Sequence, residues 1–166
     1  MSEQASYESN FLNNLNSLIS EIYDTLVELY EGGYEVIDPK IVLAGKTALK
    51  NFQNQEILQG FCLRYYQNYK LIRSAYLQKD RNFLIKNADL FFGELPEDIV
   101  NSFSELLGKR IGDGYLISED DQLMIWDYVY ALTLNGLRWD QKMGGYASVK
   151  GYSIEDDIEW WLQHGN

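Results

Sequence analysis

The chain is poor in the residues that carry much of enzyme chemistry. Of its 166 residues one is cysteine, one is histidine and two are proline. A lone Cys62 cannot form an intrachain disulfide, which fits a reducing compartment such as the cytosol or nucleus. A lone His164, the third residue from the end, excludes a zinc site built from several imidazoles of one chain. No apolar run approaches the roughly 20 residues that span a bilayer, and the opening Met1-Ser2-Glu3-Gln4 has neither the basic nor the apolar region of a signal peptide. A soluble protein without a membrane partner is expected. With proline confined to Pro39 and Pro96, long helices can run unbroken.

Hydrophobic residues, 46% of the chain, and aromatics, 14%, supply enough apolar surface for a real core. In "FLNNLNSLISEIYDTLVELYEGG" the residues Leu12, Leu15, Ile19, Ile22, Leu26 and Leu29 are spaced three and four apart, which predicts an amphipathic helix closed by Gly32-Gly33. Asp38-Pro39 reads as an N-cap followed by proline at the first helical position. The helix it opens should run to Phe52, with Ile41, Gly45, Ala48 and Phe52 near one face. A third helix puts Leu58, Phe61, Cys62, Tyr65, Tyr69, Ile72 and Tyr76 on its apolar stripe, so Cys62 reads as a small core residue. "RNFLIKNADLFF" reads as one shorter helix, and Pro96-Glu97-Asp98 starts another.

Gly112-Asp113-Gly114 marks a turn, with a very short hairpin expected near residues 110–117. Ser118 then caps a helix that is apolar on nearly all sides, from Leu123 to Leu134, the pattern of a central element. Residues 140–152 read as a mobile connection to a short acidic-aromatic helix, "SIEDDIEWWLQ". The expectation is a single all-α domain over residues 1–166, with six or seven helices.

"VLAGKTALK" carries the Gly-Lys-Thr tail of a phosphate-binding loop. Such a loop needs glycine five positions earlier, so that backbone amides wrap the phosphates; here Lys40 stands there, directly after proline. The segment reads as helix, with Gly45 allowing close packing. Asp120-Asp121 and Asp156-Asp157 lie in first turns of helices, where capping and the helix dipole account for them without metal or catalysis. No cofactor, metal or catalytic set follows from these residues.

Net charge is −11, which opposes adsorption to nucleic acid or anionic lipid. Its distribution is uneven. Residues 64–86 hold six cations and one anion, a balance of +5, and leave −16 for the rest. In this run Arg64, Lys70, Arg73, Lys79 and Arg81 interleave with tyrosines, as on single-strand nucleic-acid surfaces. Tyr65, Tyr69 and Tyr76 keep helical spacing, however, and should pack inward. The run is therefore read as a solvated basic face and a candidate partner-docking surface. A second candidate is the tail: adjacent Trp160 and Trp161 point about 100° apart on a helix, which makes burying both difficult. Either one is left for another chain, or the helix folds back over the bundle and buries Trp161, Ile158 and Leu162.

"LISEDDQLMIWDYVYALTLNG", residues 116–136, resembles segments of small helical proteins encoded by large DNA viruses of eukaryotes, through an acidic helix start followed by Ile-Trp-Asp-Tyr. The resemblance implies a viral accessory or structural protein and transfers no site. The sequence thus points to a non-enzymatic helical protein that acts by binding a macromolecule, foremost a protein, with homo-oligomers also compatible. Alternatives are an acidic inhibitor that mimics nucleic acid, and an enzyme using carboxylates. The acidic charge argues against direct nucleic-acid contact.

Overall fold

A computed structural model describes residues 2–144 and 150–165. Eight helices and one two-residue-per-strand hairpin account for the described secondary structure. In chain order they are α1 (Glu3–Glu31), α2 (Pro39–Leu49), α3 (Asn54–Gln78), α4 (Arg81–Lys86), α5 (Asp89–Phe92), α6 (Glu97–Gly108), β1 (Arg110–Ile111), β2 (Gly114–Tyr115), α7 (Glu119–Lys142) and α8 (Ile154–His164). The class is all-α, as the periodicities predict.

The long helices start where short polar side chains replace missing backbone partners. Ser2 Oγ accepts from the Ala5 amide at 3.2 Å, Asp38 Oδ1 from the Lys40 amide at 3.0 Å, and Ser118 Oγ from the Asp121 amide at 3.1 Å. The antiparallel hairpin pairs Arg110 with Tyr115 and Ile111 with Gly114 around Gly112, whose φ of +58° suits glycine.

Helix α7 is central. It packs along α1 and against α3 and α8, and between Gln122 and Asp140 its exposed residue is Asp127. Trp126, Leu132 and Trp139 on this helix are fully buried. Gly136 lets α3 approach closely: a Cβ there would lie 3.3 Å from the Phe61 ring. One contiguous core takes side chains from all eight helices.

Three expectations need correction. Helix α2 stops at Leu49, not Phe52, and its buried face is Val42, Gly45 and Leu49, while Ile41 and Phe52 are exposed. Gly45 sets this rotation, because it sits against Ile99 of α6, whose Cδ1 would lie 2.4 Å from an added Cβ. The helix expected over residues 81–92 is broken at Asn87, whose backbone leaves the helical region at φ −129° and ψ 29°. The connection expected over 140–152 is shorter than predicted. Helix α7 continues to Lys142 and Tyr152 packs on the core; residues 145–149 lie outside the described residues.

Among the described residues no helix is long and apolar enough to cross a membrane. The Gly-Lys-Thr triplet lies inside α2. Lys46 Nζ donates to Ser20 Oγ of α1 at 3.2 Å, which ties α2 to α1, and Thr47 Oγ1 donates to the Leu43 carbonyl of its own helix at 3.1 Å.

Candidate functional site

The cationic run does not form a continuous basic face, because each of its three predicted arginines has been drawn into a structural joint. Arg64 grips Glu94 with both terminal nitrogens, at 2.7 and 2.8 Å, and its Nε donates to the Leu90 carbonyl at 3.1 Å. Arg73 NH1 reaches Asp157 at 3.4 Å. Arg81 donates to the carbonyls of Leu107 and Ser118 at 3.3 and 3.2 Å, lies 3.7 Å from Glu119 and covers the Tyr115 ring. In a chain with excess carboxylates, the flat guanidinium fork is the cation best suited to such part-buried joints. Lys79 closes α3 in a left-handed conformation with Nζ 3.2 Å from the Tyr76 ring centroid, and desolvation lowers its pKa. Lys70 remains exposed, 5.9 Å from the Tyr69 ring.

The two adjacent tryptophans have separate fates. Trp161 has no exposed surface and lies among Tyr65, Tyr76 and Tyr130, so it is not available to another chain. Trp160 is half-buried, with Arg73 Cζ 4.4 Å from its ring centroid and the His164 imidazole stacked at 4.3 Å. The 100° divergence is resolved because α8 lies in the angle between α3 and α7, which covers one ring fully and the second in part.

What fastens α8 was not legible as a site. Asp157, read from sequence as a dipole-complementing residue, is buried. Its Oδ2 accepts from the hydroxyls of Tyr65 at 2.5 Å and Tyr152 at 2.8 Å, while Oδ1 faces Arg73. Trp161 Nε1 donates to the Tyr65 hydroxyl at 2.8 Å. On α7 the buried Asp140 accepts from the Tyr66 hydroxyl, and Cys62 Sγ lies 3.4 Å from the Gly136 carbonyl. Burial pushes the phenols of Tyr65, Tyr66 and Tyr152 and the thiol of Cys62 well above their ordinary ranges. It also raises Asp157, against the opposing pull of the two tyrosine hydroxyls and Arg73. Neutral hydroxyls donating to interior carboxylates make a fastening between helices.

The accessible feature lies on the other side of α3. Leu63, Gln67, Lys70, Ser74 and Leu77 are all exposed and alternate by four and three, the spacing of a helix-packing seam. Leu63 is 45% exposed and Leu77 55%, and Leu71 beside the seam is 63% exposed. From Ile57 to Lys79 there is no carboxylate, in a protein with 25 of them. At its C-terminal half the seam opens into a groove of about 420 Å³ lined by Tyr69, Lys70, Arg73, Ser74, Leu77 and Trp160. The structure therefore brings Lys70, Arg73 and Trp160 from the two candidate surfaces into one place. Arg64, Lys79, Arg81 and Trp161 do not line it. The signal for this seam was present in the sequence, as a second 4-3 register on α3 opposite the buried stripe.

A larger depression of about 830 Å³ lies between the α1–α2 connection and α6, lined by Val36, Ile37, Ile41, Glu105 and Lys109 among others. It contains none of the candidate residues. Among the described residues no three metal-ligating side chains converge. No family model, curated protein or solved structure matches this chain.

Proposed function

We propose that the chain is a non-enzymatic protein that works by docking another protein on the outer face of α3 and the adjoining edge of α8. The observation that carries this reading is the exposed seam itself. Three leucines stand 45–63% exposed on one helix that bears no carboxylate over its last six turns, beside a groove floored by a half-buried tryptophan. Exposed large aliphatic side chains grouped beside an aromatic are what a docking surface presents before its partner arrives. The resemblance of residues 116–136 adds a setting to this proposal, an accessory or structural role for a viral protein in the cytosol or nucleus.

The test is site-specific cross-linking in cells that naturally make the protein. Benzoylphenylalanine at Leu71 should trap a defined partner, while the same probe at the exposed Glu28 on α1 should not. Leu71→Glu should weaken the purified complex by at least about tenfold, or about 1.4 kcal/mol. Equal trapping from Glu28, or an affinity within about twofold of the parent, would show that α3 is not the docking face.

A further inference from the structure

We infer that the occupant of the α3 seam is an amphipathic helix of a different protein, carrying a carboxylate in the layer opposite Lys70. The inference rests on the reading of α3 as the docking face and specifies what docks there. Leu63, Lys70 and Leu77 are seven residues apart, and Gln67 and Ser74 fall four residues after Leu63 and Lys70. These five occupy the a and d positions of two heptads, the register in which one helix packs along another at a shallow crossing angle. Fourteen residues of helix separate Leu63 from Leu77, a rise of about 21 Å, so the matching segment has about four turns. Leucines at the two ends supply apolar layers, and the groove between Lys70, Leu77 and Trp160 receives one larger side chain.

The middle of the seam selects the partner. Gln67, Lys70 and Ser74 form a polar centre between the leucines, and a lysine at a core-facing position fixes register at the expense of stability. Pairing with a second copy about a two-fold centred on residue 70 would set Leu63 against Leu77 but Lys70 against Lys70. Both copies would also bring a net charge of −11. A helix with Glu or Asp in that layer removes the conflict. It meets no carboxylate on α3 between Ile57 and Lys79, and it gives the Lys70 ammonium an acceptor. Among the described residues Lys70 has no ion-pair partner within 4 Å, whereas Arg64, Arg73 and Arg81 have theirs inside the fold. The free cation at the centre of the seam is the specificity element.

A charge-swap binding experiment tests this with two synthetic amphipathic helices, identical except for Glu or Lys in the central core-facing position. Against the full chain the Glu peptide should bind at least about tenfold tighter than the Lys peptide, and Lys70→Glu should reverse the order. Leu63→Glu combined with Leu77→Glu should abolish both, with the far-UV spectrum and melting temperature of the variants confirming an intact fold. If both peptides bind alike and both are lost in the double leucine variant, α3 remains a docking face but the acidic partner is wrong. If neither binds at about 1 mM, the helical class is wrong, and cross-linking from Leu71 decides separately whether any protein docks there. If the chain sediments as a dimer that Leu63→Glu dissociates, the occupant is a second copy and the inference falls.

Discussion

Replacing Trp161 with alanine should destabilise the protein severely, whereas the same change at its neighbour Trp160 should not. Trp161 is fully buried, and a buried tryptophan removes about 150–250 Å² from water. At about 25 cal/mol per Å² that is roughly 4–6 kcal/mol of transfer free energy. Alanine retains the Cβ and the surroundings relax in part, which brings the expected loss to about 3–5 kcal/mol. The lost hydrogen bond adds little, because the Tyr65 hydroxyl still donates to Asp157. For a domain of this size the melting temperature should fall by about 6–20 °C. Trp160 is half-buried and loses a stacked guanidinium and an imidazole, about 1–2 kcal/mol together. Urea unfolding followed by far-UV circular dichroism avoids the change in fluorophore count. A loss at Trp161→Ala below about 1 kcal/mol, or a larger loss at Trp160→Ala, would refute the docking of α8 through Trp161.

Cys62 is buried with its thiol pKa pushed up by desolvation, so iodoacetamide should leave the native protein unlabelled and modify it fully in urea; native labelling at free-thiol rates would put Cys62 at the surface. Asp157 has a raised folded-state pKa, so its contribution to stability is fully present below the ordinary carboxylate range and is lost as pH rises through the folded value. The stability difference between wild type and Asp157→Asn should therefore shift toward the wild type as pH falls from 7 to about 4. A shift in the opposite direction would mean that Arg73 and the tyrosines outweigh burial. Because Gly45, Lys46 and Thr47 lie within α2, ATP and GTP at about 1 mM should not raise the melting temperature; a saturable rise abolished by Lys46→Ala would contradict the helical role of this triplet.

Wherever a segment's own chemistry chose its conformation, the sequence determined the outcome. Leucine and isoleucine at threes and fours, Ser118 and Asp38 as caps, and glycine about the 112–114 turn are local signals, and the end of α1, the starts of α2 and α7 and the hairpin stand where these predict. Of the predicted stripe, Leu58, Phe61, Cys62, Tyr65, Ile72 and Tyr76 are buried as the spacing requires while Tyr69 is only partly buried, and Trp126 lies at the centre because α7 is apolar nearly all round. Tertiary structure decided what each charged or aromatic side chain faces. From spacing alone, Arg64, Arg73 and Arg81 share a cationic run; each is instead held by a carboxylate 30, 84 or 38 positions away, Glu94, Asp157 and Glu119. Asp157 has the place of an ordinary first-turn acid, yet the packing of α8 on α3 sets it beneath two tyrosine hydroxyls. Trp160 and Trp161 are chemically identical neighbours, and the direction from which α3 and α7 approach α8 made one a core residue and the other a rim. Helix propensity and capping act over a few residues and can be read along the chain. Pairing of charges, closure of a core and the face left open depend on which helices meet, and that is fixed only when the whole bundle packs.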